Sequence, residues 1–359
     1  MFGERFKLAR KRAGYSLREL SDAVDGRVSA QALGKYERGE MMPSSDVLLA
    51  LSRTLEEPIS HLMSPMRARL EGVDFRKKSG TSVKDRARVE SAVLDHVERY
   101  LMVEEILEMD SAPWDRPFAE KRVLSSVDRA ESLAEDLRER WNLGDDPIPD
   151  MTELLEERGI KVFVLPLPQP VSGLTCLVGR PEHEGHVPAI VVNAIHNVER
   201  RRLTLAHELA HGLIDEDSPC DQEKAANRFA GAFLVPEGHL RNEIGERRHA
   251  IGYRESVELK HLYRISAAAL LVRLEQLGII RHSTMVHAFR TFARGWRKVE
   301  PEAITDQDCE RTNRFERLCY RALSEDMISL SKAAELLRMK PSDIRKEVRG
   351  PLADEGYSQ

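Results

Sequence analysis

The sequence predicts a multidomain protein, mainly α-helical, with an all-α N-terminal domain and a later α+β domain. Three observations predict it. The chain has 359 residues, more than one ordinary domain holds. Its first part repeats short amphipathic helices separated by tight breaks. Midway the pattern changes to short β-branched runs and then to a long apolar helix. Apolar residues make up 41% and charged residues 32%, a globular balance with material for a sizeable core. The net charge of −5 excludes a generally basic nucleic-acid coat while permitting a local basic face.

Residues 1–65 form the first domain. In "YSLRELSDAV" Leu17, Leu20 and Val24 share a helical face, and Ser16 with Glu19 makes a capping box. "DGR" breaks the chain. "VSAQALGKYERG" follows as a short helix with Ser29 as N-cap and Gly39 as its stop. After Pro43 a further helix carries Val47, Leu48, Leu51 and Leu55, enough to close a small core. Short helices around a tight turn suggest a helix-turn-helix module. The stretch "SLRELSDAV…VSAQALGKYERGEMMPSSDVLLALSRTL" resembles the XRE family of lambda-repressor-like and Cro-like DNA-binding domains, whose recognition helix ends in a similar Tyr-Glu-Arg-Gly. The resemblance implies a double-stranded DNA operator as partner. Gln31 then suits adenine and Lys35 guanine or phosphate, while Ser29 and Arg38 are better placed for the backbone. The family often carries Gln where this chain has Leu17, which removes one usual DNA contact.

Residues 66–124 read as a basic linker and helical connector. Residues 66–88 hold eight Lys or Arg against three acids, equally suited to following phosphates and to being solvated. From Val89 the pattern is helical through Trp141, and "IPDMTELLEERG" adds a helix stopped by Gly159. "IKVFVLPL", "SGLTCLVG" and "VPAIVVN" read as strands.

The next helix contains His-Glu-Leu-Ala-His. On an α-helix His207 and His211 lie one turn apart on one face, so two imidazoles can reach one ion. Glu208 sits about 100° around from His207, unsuited to be a third ligand but placed to touch a water. Zinc lowers the pKa of water towards ~7, and a carboxylate can then take its proton. Leu203, Leu205, Ala206, Leu209, Ala210, Leu213 and Ile214 make the remaining surface apolar. Polar groups in such a helix are costly unless paired or metal-bound. A third ligand is expected from "EKAANRFAGAFLVP", where Glu223 opens a helix that buries Phe229 and Phe233. Asp215, Asp217, Cys220 and Asp221, in the connecting loop, are rivals.

"VVN…ERRRLTLAHELAHGL…EKAANRFAGAFLVP" resembles the ImmA/IrrE family of metallopeptidases, at Arg201, Thr204, His207, Glu208, His211, Glu223, Ala226, Asn227, Phe229, Ala230 and Pro236. The resemblance covers residues 125–285. It implies an α+β zincin-like domain with a thermolysin-like helix pair, a Zn2+ cofactor, and a small sheet whose edge holds the substrate peptide. Family members typically cleave an XRE-type repressor or related regulator, so the implied substrate is a regulatory protein or this chain itself. Having both modules in one chain departs from the usual two-protein arrangement. The oxyanion helper stays open among His196, Arg201, Arg202 and Tyr253.

Residues 286–359 form a C-terminal helical segment. Ser331 reads as the cap of "KAAELLRM", with "KPSDIRKEV" after a break. A packing or dimerisation hairpin is preferred to a second helix-turn-helix-like piece, and no repeat of 20–50 residues is evident. Cys176, Cys220, Cys309 and Cys319 form no C-x-x-C pair and read as buried or free thiols of a reducing compartment. With no apolar leader and no run of membrane-spanning length, a cytoplasmic protein without a membrane partner is expected. A homodimer is expected because helix-turn-helix modules commonly bind paired half-sites. Two functional readings follow: a DNA-binding regulator with a zinc endopeptidase, or a repressor, antitoxin-like, whose peptidase-like domain senses without cutting. A purely structural zinc fits less well, since such sites usually have four protein ligands.

Overall fold

The computed structural model describes residues 2–71, 82–109, 114, 116–169, 171–180, 186–305, 310 and 312–350. Part of the basic linker (72–81) and Cys309 lie outside the described residues. The chain opens with α1 (Phe2–Arg12), α2 (Leu17–Ala23), α3 (Ala30–Glu37), α4 (Ser45–Leu55) and α5 (Ile59–Leu62), then a short strand β1 (Arg69–Glu71) and the long α6 (Val83–Ile106). There follow α7 (Arg129–Arg140), α8 (Met151–Glu157), β2 (Lys161–Leu165), β3 (Gly173–Gly179), β4 (His186–Asn193), α9 (Val198–Leu213) and α10 (Gln222–Leu234). Next come α11 (Glu237–Ile244), α12 (Tyr253–Tyr263), α13 (Ala267–Gln276) and α14 (His282–Arg290), and last α15 (Asn313–Ser324), α16 (Leu330–Leu337) and α17 (Pro341–Arg349). Two compact units result: Met1–Ala112, Leu177–Val187 and Thr312–Gln359 make the first, Pro113–Cys176 and Pro188–Arg311 the second.

In the first unit the expected caps form. The Ser16 and Glu19 side chains satisfy each other's backbone N–H groups, and Ser29 accepts from the Ala32 N–H, which removes orphan donors at two helix starts. Phe6, Leu20, Leu33, Leu51 and Leu62 make a fully covered core. Helix α1 was not expected from the sequence. It earns its place by packing: Phe6 meets Tyr36 edge-on at 6.5 Å, and Arg10 donates to Glu37 at 2.6 Å. At Gly3 it passes so close to α3 that a Cβ would lie 2.5 Å from the carbonyl oxygens of Tyr36 and Glu37. Helix α6, capped by Ser82, buries Val89, Val93, Val97 and Tyr100, and Tyr100 stacks on Phe315 of α15 at 5.7 Å. Strand β1, read as linker, pairs antiparallel with Leu177–Gly179. The cap of α16 is Ser329 and not Ser331: its side chain accepts from the Lys332 N–H, so the helix starts two residues earlier, with Ser331 exposed on it.

In the second unit β2 and β4 pair in parallel, Val162 opposite Ile190 and Leu165 opposite Asn193, and β3 is the other neighbour of β4. Helix α10 packs on both α9 and α7. Its Phe229 and Phe233 are fully buried and stack at 5.5 Å, with Trp141 edge-on to Phe233 at 6.0 Å. Such a core holds the two helices rigidly, because close-packed side chains transmit small displacements.

Candidate metal centre and helix-turn-helix face

Helix α9 is capped by Asn197, whose side chain accepts from the Arg200 N–H. It buries Leu205, Ala206, Leu209, Ala210 and Leu213. That fixes its rotation and leaves His207, Glu208 and His211 half-buried on another face. Helix α10 is capped by Asp221, which accepts from the Lys224 N–H and so places Glu223 in the first turn. The His207 and His211 Nε2 atoms are 3.1 Å apart. Glu223 Oε2 lies 3.5 Å from the first and Oε1 3.6 Å from the second. Three ligands held tetrahedrally at bonds of about 2.0–2.1 Å would stand about 3.3 Å from one another, so this spacing fits a zinc-sized ion. Glu223 is 47% exposed at its side chain, consistent with an open approach. Of the loop rivals, Asp215 accepts from the Asp217 N–H and Asp221 is spent on its cap; neither joins the converging group among the described residues.

Two other acid and histidine clusters occur among the described residues. Glu57, His61 and Asp95 are surrounded by Arg12, Arg99 and Arg338, and Glu131 is held by Arg228 and Arg273. Fixed guanidinium charges repel a cation, which makes these salt-bridge networks.

Glu208 is held by β3. The Thr175 hydroxyl lies 3.1 Å from both Glu208 Oε2 and its carbonyl oxygen, and donates its one proton to either. The strand approaches so closely that a Cβ on Gly173 would lie 2.5 Å from Thr204 Cγ2 and 2.9 Å from the Val191 carbonyl. Sequence reasoning missed Thr175; the one local signal is the small residue two positions before it.

Buried ion pairs fix α9 from outside the site. Arg202 and Glu310 are ion-paired with side chains 0% and 1% exposed. Glu310 also accepts from the Met151 and Thr152 N–H groups at 2.8 and 2.9 Å, closing the start of α8. Lys260 reaches Glu199 at 2.7 Å, both fully buried. Of the oxyanion candidates, Arg202 is consumed by this pairing, Arg201 donates to the His196 carbonyl at 3.3 Å, and Tyr253 leans on Trp296 at 5.9 Å. Burial pushes the Cys176 thiol up to about 12, so it is an inert packing group.

In the first unit Ser29, Gln31, Lys35 and Arg38 are all exposed. Ser29 is the cap of α3, and Arg38 forms an exposed pair with Glu40 at 2.6 Å. Leu17, at the first turn of α2, is partly buried against the core.

A helix-turn-helix family model matches residues 6–62, and that of the IrrE N-terminal-like domain matches residues 155–275. Similar proteins include two that bear the name "Putative HTH-type transcriptional regulatory protein". That of Pyrococcus abyssi is 25% identical over 163 residues, 45% of this chain and 47% of its own length. That of Pyrococcus furiosus is 28% identical over 167 residues, again 45% and 47%. A third, of Pyrococcus horikoshii, is 35% identical over 71 residues, 20% of this chain and 22% of its own. The chain thus spans about half the length of the curated relatives it matches. Among the described residues no helix is long and apolar enough to cross a membrane. Residues 6–62 thus match a helix-turn-helix domain of the XRE type, and residues 155–275 match an IrrE N-terminal-like domain.

Proposed function

We propose that this chain is a DNA-binding transcriptional regulator whose second unit is a zinc-dependent endopeptidase, acting on a regulatory protein or on itself. The observation that carries the reading is the convergence of His207, His211 and Glu223 beside a strand-held Glu208. His207, His211 and Glu223 would hold the ion, and zinc bound there would supply a Lewis acid that lowers the pKa of water to about 7. Glu208 takes a proton from the attacking water as its oxygen bonds to the peptide carbonyl carbon. It then returns that proton to the departing amide nitrogen as the C–N bond breaks. Thr175 orients the carboxylate. The Gly173–Cys176 half of β3 lies beside Glu208, and an extended substrate pairing with it would bring its carbonyls to the site.

On the DNA side Gln31 and Lys35 read bases and Ser29 and Arg38 contact the backbone of an operator, with a homodimer spanning two half-sites. Domain limits of 1–65, 66–124, 125–285 and 286–359 complete the proposal. The test compares the parent with Glu208→Gln by terminal-peptide mass spectrometry of cell extracts. New protein termini that need Glu208 support cleavage. If both chains gave the same termini while zinc still changed DNA affinity, the domain would be a sensor.

A further inference from the structure

Helices α15–α17 repeat the plan of α1–α3, and we infer that they form a second helix-turn-helix whose last helix, α17, contacts the phosphate backbone of duplex DNA. The inference rests on the DNA-binding reading of the first such module. In both, a leading helix is followed by a serine-capped helix: Ser16 accepts from the N–H of Glu19, and Ser329 from that of Lys332. Leu17 and Leu330 follow the caps, and Leu20 and Ala333 are buried three residues later. At the same distance from each serine cap stands a left-handed residue, Asp25 just past the end of α2 and Arg338 at the end of α16. The last helix of each module, α3 or α17, then buries one aliphatic side chain completely, Leu33 or Ile344. Two residues on stands an exposed lysine, Lys35 or Lys346, and three beyond it an exposed arginine, Arg38 or Arg349. Both helices stop at a glycine of positive φ, Gly39 at 72° and Gly350 at 73°. The turn differs, being two residues shorter between Ser329 and Lys340 than between Ser16 and Ser29, and α17 begins at Lys340 and Pro341 without the side-chain cap that Ser29 gives α3. The two copies lie at Phe2–Glu37 and Asn313–Arg349, far outside the 20–50-residue spacing of tandem repeats.

Charge points the same way. Residues 338–350 carry five Lys or Arg against two acids. Arg338 is spent on Glu57 and Asp95, and Glu347 accepts from Tyr320. Arg345, Lys346 and Arg349 are exposed and pair with no acid among the described residues. Because Arg338 joins the turn of the second module to Glu57 and Asp95, α17 is fixed to the frame that carries α3.

The test measures binding of the full-length protein to a random-sequence duplex of about 40 bp by fluorescence anisotropy over a salt series. Each phosphate contact contributes about 0.9 to the log–log salt slope. Arg345→Ser with Lys346→Ser and Arg349→Ser should therefore lower the slope by about 2–3, at an unchanged melting temperature. The reverse change, Val348→Arg, adds a charge on the 52% exposed neighbour of Arg349 and should raise it by about 1. Unchanged slopes in both variants would overturn the inference, and so would altered self-association with an unchanged slope, or tighter binding of single-stranded RNA than of the duplex. Lys35→Ser, run in parallel, separates the two modules. A response there and none at α17 would leave the first module standing alone, whereas no salt-dependent binding by the parent would remove both.

Discussion

At the scale of single residues, His207, Glu208 and His211 were legible because the period of one helix decides what they can touch. Glu223 was legible for a related reason: it stands at the start of a helix whose buried face is fixed by Phe229 and Phe233. Thr175 and Glu310 were not, because they reach their partners across 33 and 108 residues of chain, where no local pattern operates. Glu208→Gln should keep its metal while lowering peptide cleavage by about 10²–10⁴-fold; a rate equal to the parent's, measured on any peptide the parent cuts, would contradict the assignment. Thr175→Val removes one hydrogen bond to the same carboxylate or its carbonyl. A loss of about 1 kcal/mol appears as roughly a fivefold fall in kcat, with KM little changed, whereas a pure KM effect would place Thr175 in substrate binding instead.

At the scale of elements, strands β2–β4 were readable from β-branched runs bounded by turn residues, α2 and α3 from capping signals, and α4 from Pro43 and the apolar spacing of Val47, Leu48, Leu51 and Leu55. Helix α1 escaped because its buried side sets Arg5 and Arg10 beside Phe2, Phe6 and Ala9, so charge blurs the apolar period, and β1 because three residues carry no period. Strand β3 and helix α9 approach one another closely at Gly173. Gly173→Ala would force the added methyl against Thr204 and the Val191 carbonyl, and overpacking of this kind costs about 1–3 kcal/mol. Chemical denaturation should find that loss, and a variant as stable as the parent would mean that the strand has room to move. Phe233→Ala, in the joint between α7, α9 and α10, should cost about 3–5 kcal/mol by the same measurement.

At the scale of the whole molecule, the first unit depends on a buried charge network that no local reading could assemble, since it joins Arg12, Glu57, Asp95, Arg99 and Arg338. Burial alone would raise the carboxyls of Glu57 and Asp95. The hydrogen bond from His61 and the charge of Arg12 outweigh it at Glu57, as Arg99 and Arg338 do at Asp95, and both are held below the usual range. Burial first, and then Arg99, push His96 down to about 3, against the weaker pull of Asp95. The three shifts have one sign. In each case the unfolded chain binds more protons as pH falls, so stability rises with pH. The His96 contribution is complete above its unfolded value near 6.5 and declines towards 3, and those of the carboxylates are lost below about 4. Calorimetry should find the parent melting lower at about pH 5 than at about pH 7, with a smaller difference in His96→Asn; identical melting at both values in the parent would contradict the network's charge states.

The central claim is that His207, His211 and Glu223 form one metal site, and zinc per chain by elemental mass spectrometry tests it most directly. The account predicts close to one zinc in the zinc-supplemented parent, about one retained in Glu208→Gln, and most of it lost in Glu223→Ala with the fold intact. A folded, zinc-supplemented parent without zinc, or a Glu223→Ala chain that binds as much as the parent, would contradict it.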